Sequence, residues 1–73
     1  MNIGRMIGQF QKSGKLVAVV DVDSYLTPSA LEGCEKESVV VARGLGTKAG
    51  LLEFLVKNFD VVISVKEIGR AHV

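Results

Sequence analysis

Apolar positions change their spacing repeatedly along the chain, and each change marks the border of an element. Ile3, Met6, Ile7 and Phe10 fall at i, i+3, i+4 and i+7, with Arg5, Gln9 and Lys12 between them, which predicts an amphipathic helix over residues 2–13. Gly14 follows, where a left-handed residue closing the helix is expected. Gly4 and Gly8 have the small-xxx-small spacing that lets a helix approach its neighbour closely. The stretch is too polar for a membrane dimer, so helix-on-sheet packing is the expectation. Residues 16–22, LVAVVDV, are apolar almost without a break. A half-exposed strand would alternate, so this run predicts a central parallel strand covered on both faces. After an acidic loop, Thr27 is placed to cap a short helix with Pro28 at its first position, carrying Ala30 and Leu31 and ending near Gly33. Residues 38–42 predict a second buried strand and 43–46 a glycine-bearing loop. Thr47 would cap a third helix reaching Asn58, with Leu51, Leu52, Leu55 and Phe59 as its apolar stripe. Residues 60–65, DVVISV, predict a third, β-branched strand.

The predicted order is therefore α-β-α-β-α-β, an α/β fold of three-layer type with parallel strands joined by right-handed crossovers. Seventy-three residues allow one domain, near the lower size limit for a self-supporting core. In such a fold the first helix normally follows a strand, so the pattern is expected to be a fragment lacking its first strand. The final residues break the pattern. Residues 67–73, EIGRAHV, resemble the in-frame translation of a common sequencing adapter, which would make them a non-native tail behind a domain over 1–66. His72, the single histidine, belongs to that stretch.

Composition narrows the function classes. The chain is 48% hydrophobic but only 5% aromatic, with a formal charge of +1, which argues against a chain-wide nucleic-acid-binding surface. Lys12, Lys15, Lys36, Lys48 and Lys57 are scattered and form no stripe. A single cysteine, Cys34, can build neither an internal disulfide nor a zinc site alone, and reads as a small buried filler in a reducing compartment. No apolar run is long enough for a bilayer and no signal-peptide core is present, so the expected location is cytoplasmic.

Candidate chemistry gathers at the end of the first strand. Ligands of open parallel sheets lie outside the carboxyl ends of the strands, where Asp21 and Asp23 stand. The same two acids could equally end a strand, solvate a loop or help cap the helix at Pro28. Gly44 and Gly46 make a lone G-x-G with Ala49 where a dinucleotide fingerprint needs its third glycine, so turn glycines are the reading there. Ser24, Thr27 and Thr47 have no histidine partner within the fold, which leaves a hydrolase triad without support. Arg43, just past the second strand, is placed where it could touch phosphate or DNA, although a solvated loop arginine is the commoner arrangement.

Gln11-Lys12-Ser13-Gly14, then an apolar strand running to Asp21-Val22-Asp23, then Leu26 and Pro28, resembles without gaps the bacterial RecA recombinase family, where a helix ends in Q-K-x-G, a strand ends in D-x-E and x-x-L-x-P follows. The likeness continues more loosely through Gly33, residues 39–41 and Phe59-Asp60-Val61-Val62, and so covers most of residues 3–65. It implies a RecA-like P-loop NTPase core lacking its first strand and the P-loop itself. In that family the P-loop holds the ATP phosphates, and the acid after the strand polarises the attacking water. The resemblance gives that role to Asp23, one methylene shorter than the family's Glu, with Asp21 and Thr27 as further nucleotide-binding residues. Thr27 and Ala30 stand where the family sets an Asp and a Tyr against adenine, and Val65 stands where a magnesium-linked Asp is expected. ATP and magnesium, single-stranded DNA and a homo-oligomer are the implied cofactors and partners of the parent protein, with ATP bound between subunits. The chain by itself is expected to be inactive. A truncated Rossmann NAD(P)-binding domain of an oxidoreductase is the alternative, with Asp21 or Asp23 on the ribose hydroxyls. A receiver-like signalling domain would want an Asp at Val65.

Overall fold

The computed structural model describes residues 2–43, 49–65 and 71–72. The elements are helix α1 (Gly4–Lys12), strand β1 (Val17–Asp21), two 3-10 turns (Pro28–Leu31 and Lys36–Ser38), β2 (Val39–Arg43), α2 (Ala49–Asn58), β3 (Val61–Val65) and a two-residue β4 (Ala71–His72). They form a small α/β domain whose sheet runs β2-β1-β3-β4, with β1 parallel to both β2 and β3, and β4 antiparallel to β3.

β1 is buried along its whole length, as its unbroken apolar run predicts. Its odd positions, Val17 and Val19, join Ile3 and Ile7 of the first helical segment, Leu26, Ala30 and Leu31 of the first 3-10 turn region, and Val61, Ile63 and Val65 of β3. The even positions, Ala18 and Val20, pack with Leu55 of α2, flanked by Leu51, Phe59 and Val62. The sheet therefore carries a larger half-core under α1 and a smaller one under α2. The entry to β1 is latched to the entry of β3. Leu16 N–H donates to the Asp60 carboxylate (2.8 Å), while the Leu16 carbonyl accepts from Asp60 N–H (3.0 Å) and Val61 N–H (3.1 Å).

Several expectations are corrected. The helix expected after Pro28 is a single 3-10 turn. Thr27 holds the capping position, but its hydroxyl pairs with the Ser29 hydroxyl (2.9 Å) instead of a helical N–H. Glu32 is already extended and Gly33 has φ of 100°, so no second turn follows. β2 is not fully buried; its residues are half-buried or exposed, because it lies at the edge of the sheet. Leu52, placed in the α2 stripe, is 40% exposed. The glycines of α1 meet a loop and not the sheet: a Cβ on Gly4 would overlap the Glu32 carbonyl, and one on Gly8 the Gly33 carbonyl. Gly14 has φ of 76°, the left-handed closure its position predicts. The cap at Thr47 and the glycines at 44 and 46 lie outside the described residues, as does most of 67–73. The backbone of Ala71 and His72 pairs with Val65 and Ser64.

Candidate functional site at the carboxyl edge of the sheet

β1, β2 and β3 all point their carboxyl ends the same way, so Asp21, Arg43 and Ser64 gather at one edge: Asp21 is the register partner of Arg43, and Val20 that of Ser64. The two acids of the sequence separate sharply there. Asp21 is completely buried, and each of its carboxylate oxygens is engaged. Oδ1 accepts Tyr25 N–H and Oδ2 accepts Leu26 N–H, both at 2.9 Å. Its carbonyl also accepts Ser24 N–H at 3.2 Å. A carboxylate holding two backbone donors is a strong local clamp, and this one folds residues 22–26 back over the strand end so that Leu26 drops into the core. Asp23 lies at the crest of that turn and is exposed. Ser24 beside it has φ of 55°, a left-handed conformation that costs a non-glycine residue on the order of 1 kcal/mol and aims the turn. Tyr25 follows at 47% exposure, an aromatic face beside the acid that the sequence pattern does not single out.

Thr27 is exposed, two residues past Tyr25, with its hydroxyl on Ser29. Ala30 is buried under the turn and presents no surface to a ligand. Val65 is buried and apolar at the end of β3, so the place given to a magnesium-linked acid offers no oxygen. Among the described residues no three His, Cys, Asp or Glu side chains converge as a metal site. Val65 therefore supplies no ligand for a magnesium ion at that place.

Away from this edge, Gln11 makes a two-point amide contact that sequence spacing does not signal. Its Nε2 donates to the Glu35 carbonyl (3.0 Å) and its Oε1 accepts Glu35 N–H (2.9 Å), tying the end of α1 to the loop. An open groove of about 270 Å³ runs beside this contact, lined by Gly8, Lys12, Gly33 and Cys34. It is set by the helix–loop contact and is separate from the strand ends. Cys34 donates its thiol to the Leu31 carbonyl (3.1 Å); burial pushes the thiol pKa up, and nearby Lys36 pulls the other way. The sequence marks Asp60 as the start of a strand and as part of the RecA-like stretch but not as a latch; its carboxylate serves as the acceptor for Leu16 N–H. No helix among the described residues is long and apolar enough to cross a membrane.

No protein-family model, no curated protein and no solved structure matches the chain.

Proposed function

We propose that the chain is part of a RecA-like core of an ATP-dependent DNA recombination or repair protein, in which Asp23 polarises the water that attacks the γ-phosphate. What carries the reading is one coincidence of motif and position. The acid that the 11–28 resemblance singles out is the exposed one, two residues past a buried strand-end carboxylate on the central parallel strand. In this reading the two acids divide the work. Asp21 holds the turn shut through its two backbone donors, and Asp23, held beyond it, keeps a free carboxylate for water. A general base contributes by its reach to the proton it takes, so a side chain one methylene shorter than Glu asks the phosphate to sit closer to the turn. The phosphate cradle, the adenine contacts and the subunit that completes the site belong to the parent protein, together with single-stranded DNA and the homo-oligomer. The P-loop pattern is absent from these residues, so this chain is expected to hydrolyse no ATP alone.

The test is to read the gene in its source DNA beyond both ends of this sequence and to express the complete product. A G-x-x-x-x-G-K-[ST] pattern upstream, with Asp23→Asn lowering ATP turnover about 100-fold while nucleotide affinity holds, supports the reading. A G-x-G-x-x-G pattern overlapping Gly4, with binding of NAD(P), would replace it with the dinucleotide domain. Unchanged turnover in Asp23→Asn removes the catalytic role.

A further inference from the structure

The exposed ring of Tyr25 has no part in the hydrolytic role given to Asp23. The chain has one tyrosine, three phenylalanines and no tryptophan. Phe10 and Phe59 pack against the two half-cores and Phe54 lies on α2, so Tyr25 is the one aromatic side chain that follows the carboxyl end of a strand. Its backbone is fixed from three sides. The N–H is held by the buried Asp21 carboxylate at 2.9 Å, Leu26 after it is anchored in the core, and Ser24 before it has the left-handed φ of 55°. A turn that only faced water would be relieved by glycine or asparagine at that φ and would need no large ring behind it. Here the strain is kept, and a ring that offers a flat partner wide contact at low conformational-entropy cost stands 47% exposed.

Charge at the same edge orients such a partner. Arg43 is the register partner of Asp21, so the two side chains leave the same face of the sheet. Both oxygens of the Asp21 carboxylate are engaged by backbone donors. Among the described residues the one ion pair is Lys57–Glu53, which leaves the exposed Arg43 without an acid partner. Asp23, exposed on the crest of the turn, repels a bare anion placed there. An anionic end is therefore directed toward Arg43, while a flat ring has Tyr25 to lie on. A heterocyclic base stacks on tyrosine whatever its identity, and a guanidinium pairs with phosphate through two parallel donors.

We infer that Tyr25 is a stacking surface for the base of a nucleotide whose phosphate pairs with Arg43, the nucleotide being either free or one unit of a single strand. This rests on the proposed function only for the place of the site, and requires neither a P-loop nor hydrolysis. One ring and one guanidinium make a weak contact, with a dissociation constant on the order of millimolar.

The single tyrosine gives one set of ring signals in the proton NMR spectrum of the full chain, and these report the contact directly. Titration with AMP is expected to move them upfield and to saturate, whereas inorganic phosphate alone leaves them in place. Arg43→Ala should raise the AMP dissociation constant about fivefold and leave that of adenosine unchanged. In Tyr25→Ala, AMP binding followed by the base protons of the nucleotide should weaken about tenfold, with Tyr25→Phe retaining it; amide spectra check that each variant folds. A short thymidine oligonucleotide separates the sources: tighter binding than AMP assigns the site to a strand, and weaker binding assigns it to a free nucleotide. Ring signals unmoved by both probes, AMP binding indifferent to Arg43→Ala, or AMP binding that survives Tyr25→Ala in a folded variant would each overturn the inference. Stacking in a chain whose gene carries no P-loop would remove the ATPase and leave this site standing, and an unmoved ring in a gene product with a P-loop would do the reverse.

Discussion

The Asp21 carboxylate, itself fully buried, holds one backbone donor at each oxygen, so truncating it leaves the Tyr25 and Leu26 N–H groups without their acceptor, that of Leu26 in the buried interior. An unsatisfied buried donor costs about 1–3 kcal/mol. Asp21→Ala is therefore expected to destabilise the domain by about 3 kcal/mol, whereas Asp23→Ala, at an exposed position, should fall within about 0.5 kcal/mol of the parent. Urea denaturation of both variants measures the difference, and equal losses would remove the division of work between the two acids. Both acids were visible in the sequence. Which of them is buried was not, because a run as continuous as LVAVVDV has no alternation to mark where the strand stops and the turn begins. Gln11 was invisible as a contact for a related reason. Its partner is a backbone N–H and C=O in a loop 24 residues away, and backbone groups carry no residue signature.

At the level of elements, apolar runs and helical spacing were enough to place α1, β1, β2 and β3, since burial of a stripe or a run leaves a direct mark on the pattern. The 3-10 turn after Pro28 was overestimated. Start signals at Thr27 and Pro28 are real, but a helix also needs somewhere to continue, and Glu32 and Gly33 leave the helical region at once. The glycine spacing of α1 signals a close approach but not its partner, which is the backbone of residues 31–34 and not the sheet. That contact leaves no room for a methyl group. Gly8→Ala is expected to cost about 2 kcal/mol or more through forced displacement of the Gly33 carbonyl. Gly50→Ala, in α2 with open space around it, should instead stabilise by about 0.5–1 kcal/mol. Thermal melts of the two variants should move in opposite directions.

For the whole molecule, the unequal half-cores set the order in which it opens. Ile7, Val17, Val19 and Ile63 are fully buried on the α1 side. The α2 side rests on Ala18, Val20 and Leu55, while Leu52, Phe54 and Val56 of the helix remain at 40%, 58% and 62% exposure. Less apolar burial means a lower local opening free energy. Amides of α2 are expected to exchange with solvent faster than those of α1 at equal pH, and native-state hydrogen exchange reads this directly. Slower exchange in α2 would contradict the ranking. The sequence pattern alone could not rank the two helices, since it shows the stripe on each but not how much of the sheet lies beneath.

The latch between Leu16 and Asp60 has a consequence for biosynthesis. The central strand is made early, yet one of its two flanking partners and the carboxylate that receives its first N–H arrive 44 residues later. At translation speeds of about 5–20 residues per second, β1 waits for seconds as a strand complete in sequence but open along one side. During that interval its valines depend on α1 and β2 for shelter, and the nascent chain is at its most vulnerable to chaperone capture or to mispairing with a neighbour on the same message.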